Sequence, residues 1–179
     1  MSNDLRKLRE KLCRELAQSE QAASVHTRRE AHRLGDVLPA DKLRAIAAHA
    51  EYMRPRFDSL VVHKQPAGIR AGRLAGELFS ALRQFAFDRM LSAERSYRAT
   101  LLGLKHGLDC ARLLREVARR DERVRLHRFC DDLIAEREVL IRDAEQALVW
   151  FAARPEIASL SGARLALMSS DQLRQLAAS

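Results

Sequence analysis

The chain is poor in residues that interrupt regular structure. Its 179 residues include only 7 glycines and 4 prolines. A β-sandwich or barrel needs a turn about every ten residues, so this scarcity argues against both folds. The sequence also lacks an apolar run of about eighteen residues, which excludes a transmembrane helix. Its opening stretch, MSNDLRKLREKL, has no apolar signal-peptide core. We therefore expect a cytoplasmic protein without a membrane span.

Cysteines and catalytic motifs are equally scarce. Cys13, Cys110 and Cys130 form no CxxC pair, and we expect three reduced thiols packed as small core residues. The sequence contains no glycine-rich phosphate loop and no serine-centred nucleophile elbow. These absences favour a binding or structural protein over an enzyme.

Hydrophobic residues, by contrast, make up 47% of the chain, which is too many for intrinsic disorder. They recur every three or four residues, the period of an α-helix. Breaks occur at residues 35–39, 65–72 and 155–162. The pattern predicts long helices over residues 3–34, 40–64, 69–120 and 121–153, followed by a short C-terminal helix.

Several local signals refine these boundaries. Pro55 lies inside the second predicted helix and should kink or interrupt it. The third predicted helix is too long for one rod in a domain of this size, and should break near Ser92 or at Gly103 to Gly107. Asp121 is the expected N-cap of the fourth helix. Residues 169–172 read as a capping box before the last helix.

Long helices joined by short connections pack as antiparallel neighbours. We therefore predict one all-α domain over residues 1–179, an up-and-down antiparallel bundle of four to five long helices with a ferritin-like shape as one form. The N-terminal helix, residues 1–35, should pack along a narrow line or project from the bundle. Residues 155–179 should form a tail with a short helix.

Helical bundles often hold a metal site between their helices. No histidine has an acidic residue three positions before it, so the Glu-x-x-His motif of di-iron bundles is absent. Divalent metal ligands at helical spacing remain as an alternative: His106, Cys110, His127, Cys130 and Asp131, with Glu94 and Asp109 as further candidates. The competing interpretation places both cysteines in the core and the histidines at its margin.

Charge offers a second candidate site. The chain carries 32 Lys and Arg against 24 Asp and Glu, a net charge of +8. An arginine-rich segment could neutralise nucleic-acid phosphates: Arg112, Arg115, Arg119, Arg120, Arg123, Arg125 and Arg128. It lacks interleaved aromatic residues, so base stacking is not expected. A solvated arginine-rich surface is the other interpretation.

Two arginines, Arg89 and Arg137, fall on apolar stripes. A buried guanidinium needs a carboxylate partner, and Glu94, Asp88 and Glu136 are candidates by position. Alternatively, both lie at stripe edges with their heads in water. Phe87 and Trp150 fall off the main stripes and suggest a second hydrophobic face.

Such a second face favours a homodimer. The expected function is therefore a self-associating interaction or scaffold module. Two alternatives stand beside it: a bundle that binds a small molecule or metal, and a basic protein associated with nucleic acid.

Overall fold

The computed structural model describes residues 3–61, 91–168, 171–172 and 175–176. The four long helices in these ranges are α1 (Asn3–Leu34), α2 (Leu38–Asp58), α3 (Ala93–Arg120) and α4 (Val124–Gln146). Three short helices follow: α5 (Leu148–Ala152), α6 (Pro155–Ala158) and α7 (Gly162–Leu167). This architecture confirms the prediction of an all-α bundle.

The four long helices pack side by side around one core. α1 lies beside α2 and α3, and α4 lies beside the same two helices. Side-chain contacts between neighbouring helices show their relative directions. Lys42, early in α2, contacts Asp143, late in α4, whereas His49, later in α2, contacts Glu136, which is earlier in α4. Neighbours are therefore antiparallel, whereas α2 and α3 occupy opposite corners and run in the same direction.

Helix boundaries follow local sequence signals in part. Pro39 occupies the first turn of α2, where its missing amide costs nothing. Pro55 lies inside the same helix, which ends three residues later at Asp58 instead of continuing to residue 64. Of the two predicted breaks in the third helix, Ser92 is the correct one: it is the extended N-cap residue of α3. The helix continues through Gly103 and Gly107 without interruption.

The expected N-cap role of Asp121 is wrong. Asp121 ends α3 as its C-cap residue, and α4 begins at Val124 after Arg123. Between them Glu122 has a φ of 55°, in the left-handed region that reverses the chain. The physical reason is that Arg9 and Arg123 hold the Asp121 carboxylate, so it does not cap backbone amides.

The core is built from apolar side chains of all four long helices. The most deeply buried of these are Leu16, Leu34, Leu43, Ile46, Met53, Phe57, Leu114 and Leu133. The rings of Phe57 and Phe129 lie 5.2 Å apart and join α2 to α4. Burial of such side chains contributes about 1.5–3 kcal/mol each, which makes packing the main source of stability.

The C-terminal helices close the end of the bundle where α1 ends and α3 begins. The Ala93 amide donates to the Leu160 carbonyl at 2.8 Å, beside an antiparallel bridge between Ser92 and Ser161. The ring of Phe151 lies 5.2 Å from that of Tyr97. Residues 147–168 therefore cover this end of the bundle core as a lid.

Some predictions concern residues outside the described ranges. These are Arg89 with its partner candidate Asp88, the off-stripe Phe87, the first part of the third predicted helix, and the first half of the predicted capping box.

Gly103 and Gly107 supply a matched test of helix packing. A Cβ at Gly107 would overlap the Ser19 hydroxyl and lie 3.2 Å from the Ser19 Cβ, whereas a Cβ at Gly103 meets nothing within 4 Å. Gly107→Leu should therefore lower the free energy of unfolding by about 1–3 kcal/mol, because α1 and α3 must separate. Gly103→Leu should raise it by up to about 1 kcal/mol through helix propensity. Urea unfolding of both variants measures the difference, and equal effects would contradict the close approach of α1 and α3.

Candidate functional site

The bundle interior contains a charged cluster that links three helices. Glu20 of α1 and Arg137 of α4 are only 4% and 3% exposed. Arg137 Nη2 donates to Glu20 Oε2 at 2.8 Å, and its Nη1 donates to Oε1 at 3.3 Å. Arg137 Nε donates to Nδ1 of His49 on α2 at 3.0 Å. His49 Nε2 lies 2.9 Å from Glu136 Oε2. We call these four residues the interior cluster.

The interior cluster contains the charge partner of Arg137. The arginine is buried and paired, but with Glu20, which was not among the candidates. Glu94 instead forms an ion pair with Arg98 one turn away on α3. Glu136 contacts Arg137 only indirectly, through His49. Neither side chain proposed from position alone is the carboxylate that neutralises Arg137.

Burial sets the protonation states in this cluster. It raises the pKa of the Glu20 carboxyl, an effect that the Arg137 guanidinium opposes. Burial and the nearby Arg137 lower the pKa of His49. A neutral imidazole can accept from Arg137 through Nδ1 and donate to Glu136 through Nε2. The cluster contains no nucleophile, and its chemistry is to hold α1, α2 and α4 in one register.

Two further buried carboxylates join α1 to α3. Glu30 accepts from Ser96 Oγ at 2.9 Å and from Arg33 Nε at 2.9 Å. At the other end of the bundle, Arg9 of α1 binds the buried Asp121 carboxylate. All three buried carboxylates therefore have arginine partners, as the low polarity of a protein interior demands.

The five predicted metal ligands are not brought together. His106 lies on the exposed side of α3, whereas Cys110 and Cys130 are buried. His127 pairs with Asp131 at 3.0 Å on the surface of α4. Across the described ranges, no three His, Cys, Asp or Glu side chains form a group that could hold a metal ion. The chain does reverse near Arg120, as the metal hypothesis required.

All three cysteines are free and buried, as expected. Burial raises the pKa of Cys13 and Cys110 to about 11 and that of Cys130 to about 12. The thiols are therefore protonated at neutral pH and are poor nucleophiles or metal ligands. They act as small core side chains.

The arginine-rich segment divides into paired and unpaired members. Arg112 bonds to Asp109 at 2.7 Å and to Glu138 at 2.8 Å. Arg115 and Arg119 pair with Glu116, and Arg123 lies 3.5 Å from Asp121. Three members are exposed and have no carboxylate partner in the described part of the chain: Arg120, Arg125 and Arg128. They surround the turn between α3 and α4.

A second surface feature lies along the outer side of α3. Leu102 is 70% exposed and Leu113 is 49% exposed. His106 and Asp109 lie between them and are also exposed. We call these four residues the α3 outer stripe. Sequence periodicity missed it, because it includes only two apolar residues.

A shallow pocket opens at the C-terminal segment, lined by Met168, Gln172, Gln175 and Leu176. None of the residues proposed as ligands lies in it.

Among the helices that the structure describes, none has the length and apolarity needed to cross a bilayer. No protein-family model, curated protein or solved structure matches the chain, so its function is inferred from its own residues.

Proposed function

We propose that the protein is a self-associating helical interaction module, in which the α3 outer stripe packs against the same stripe of a second copy. The observation that carries this proposal is the exposure of Leu102, at 70%, on a helix whose large apolar side chains other than Leu102 and Leu113 are buried. When a partner covers a leucine this exposed, the newly buried part of the side chain contributes a large fraction of the leucine transfer free energy to association.

The order of residues in the stripe is self-complementary. Leu102 and Leu113 are separated by eleven residues, which is three helical turns and about 16 Å. A two-fold axis between them would place Leu102 opposite the partner's Leu113. The same axis would place His106 opposite the partner's Asp109. A two-fold dimer requires this kind of reciprocal matching, because both subunits present the same patch.

The pairing of α3 with α4 sets the level of a further exposed apolar residue along the bundle. Lys105 of α3 forms an ion pair with Glu145 of α4, which sets the two helices in register. Val149, 72% exposed, therefore lies at about the level of Leu102. We place this module in the cytoplasm, where its three buried thiols stay reduced.

Leu102→Lys is expected to dissociate the dimer, because two lysines would enter the apolar ends of the contact. We expect its dissociation constant to rise more than about tenfold over that of the unmodified chain. Sedimentation equilibrium over a range of chain concentrations up to about 200 µM measures this shift, since the assembly depends on concentration.

The matched control is Leu38→Lys, because Leu38 is 50% exposed on α2, away from the stripe. It should leave the dissociation constant unchanged. His106→Asp should weaken the dimer, and the exchanged pair His106→Asp with Asp109→His should recover it. An unmodified chain that stays monomeric at the highest concentration contradicts the proposal.

A further inference from the structure

The fold brings two basic segments together that are far apart in the sequence. Arg9 binds Asp121 across a separation of 112 residues, which sets the first three turns of α1 beside the turn between α3 and α4. We call residues 3–14 and 115–128 the basic end. They contain eleven Arg and Lys residues against five Asp and Glu, whereas the whole chain carries +8. Most of the net charge is therefore at one end of the bundle.

Much of this charge is available to a ligand. Five cations of the basic end are exposed and have no carboxylate partner within the described ranges: Lys7, Arg14, Arg120, Arg125 and Arg128. Unpaired cations keep their full charge toward solvent, and a ligand need not break an ion pair to reach them.

The Asp121 carboxylate reduces the electrostatic repulsion between the cations of the basic end. Its side chain is fully buried, and its carboxylate lies against Arg9 and Arg123. It neutralises the repulsion between α1 and the turn from inside, so that the outer cations can face solvent. The carboxylate is thus positioned to assemble the basic end while leaving its surface positive.

We propose that the basic end is a binding site for the phosphate backbone of duplex nucleic acid. Lys7 and Arg14 lie on one face of α1, two turns or about 10 Å apart, and the other three unpaired cations lie on α3 and α4. A single small anion cannot span these positions, so the ligand is an extended polyanion.

The chemistry of the side chains selects among polyanions. Nine of the eleven cations are arginines, whose planar guanidinium matches phosphate with two hydrogen bonds. No Phe, Tyr or Trp belongs to the basic end, so it has no platform for stacking unpaired bases. Leu12 of α1 is in the core and Leu5 packs against it, which leaves Leu8, 38% exposed, and Val124, 59% exposed, as the large apolar side chains that the basic end presents to solvent. Two partly exposed side chains are a small apolar area beside the continuous apolar face of a helix that inserts into lipid. Duplex phosphates fit these properties best.

The test is the affinity of the full chain for a labelled DNA duplex of about 20 base pairs with mixed sequence, measured by fluorescence anisotropy. Five phosphate contacts predict that affinity falls roughly 10²- to 10³-fold between 50 and 200 mM salt. A triple variant, Arg120→Gln with Arg125→Gln and Arg128→Gln, should lower the slope of log affinity against log salt by about three.

The matched control removes the same charge from the other end of the bundle. Arg29, Arg95 and Arg142 are also exposed and unpaired within the described ranges, and changing all three to Gln should alter affinity less than about threefold. Circular dichroism and thermal unfolding verify that both triple variants are folded.

Four outcomes would overturn the proposal. They are no binding to the duplex at 50 mM salt, equal losses in the two triple variants, tighter binding to a single strand of the same length, and retention on vesicles with about one-third phosphatidylserine but not on the duplex. Because the dimer forms on a different surface, the monomeric variant Leu102→Lys separates failure of this proposal from failure of self-association.

Discussion

Replacing Glu20 by alanine is expected to lower the free energy of unfolding by about 3–5 kcal/mol. The change leaves the Arg137 guanidinium buried, 3% exposed, with its main charge partner gone. An arginine cannot escape this penalty by losing its proton, because its pKa stays too high at any pH that proteins tolerate. Because burial raises the pKa of Glu20 in the folded chain, the contribution of Glu20 falls as the pH rises through that pKa, so the loss should be no smaller at pH 5 than at pH 8.

The control for this prediction is Glu138→Ala. Glu138 lies next to Arg137 on α4 and pairs with Arg112 at 2.8 Å, the same distance as the shortest Arg137–Glu20 contact. Its side chain is 36% exposed and that of Arg112 is 46% exposed. Breaking this pair should cost less than about 1 kcal/mol, because water screens both charges. Urea unfolding measures both values, and equal losses would show that burial is not what makes the Glu20 pair matter.

Replacing Tyr97 by alanine is expected to cost about 3–5 kcal/mol, the range for truncating a large buried ring. Tyr97 is 0% exposed, and its hydroxyl donates to the Ala144 carbonyl at 2.8 Å. That carbonyl belongs to the last turn of α4, where helical carbonyls lack partners of their own. Burial raises the pKa of Tyr97, so the hydroxyl remains a donor at any physiological pH.

Tyr97→Phe separates the ring from the hydroxyl. It keeps the contact with Phe151 and removes only the hydrogen bond, so we expect a loss of about 1 kcal/mol. Thermal unfolding and proteolysis of the C-terminal helices measure the two effects together. If Tyr97→Phe lowers the free energy of unfolding as much as Tyr97→Ala does, the packing of the Tyr97 ring against Phe151 does not hold the lid in place.

The helical architecture could be predicted because it depends on a local property. Apolar spacing along the chain identified all four long helices, and Ser92 was one of two predicted breaks. The end of α3 at Arg120 agrees with the prediction, but the N-cap role of Asp121 was wrong because its side chain binds Arg9, a residue 112 positions away. A cap that depends on a distant partner leaves no local signal.

The interior cluster was missed for a related reason. The apolar stripe of α1 weakens after Leu16, which led to the prediction that this helix packs along a narrow line or projects from the bundle. The same face continues at helical spacing through Glu20, Ser24 and Thr27, all buried. Polar residues were counted as surface, although Arg137 was already identified as a charge on an apolar stripe. The acidic Glu20 on the core-facing side of α1 and the basic Arg137 on the apolar stripe of α4 are together enough to predict that the two side chains pair.

A count of charges along the sequence does not predict the basic end. Summed along the chain, the positive charge is scattered over several helices. Only the packing of α1 against α3 brings the start of the chain beside the arginine-rich turn. The α3 outer stripe was equally hidden, since its symmetry concerns a second copy of the chain.

The distance along the chain between Glu20 and Arg137 also constrains how the protein is made. The two residues are separated by 117 positions, so at about 5–20 residues per second a ribosome completes Arg137 roughly 6–25 s after Glu20. During that interval α1 and α2 can pair, but the carboxylate must stay hydrated, and the hairpin cannot close over it. Emergence of α4 supplies the missing cation and permits the core to dehydrate. The ion pair can therefore form only after α4 has been synthesised, and we expect a chain truncated before Arg137 to remain open to degradation.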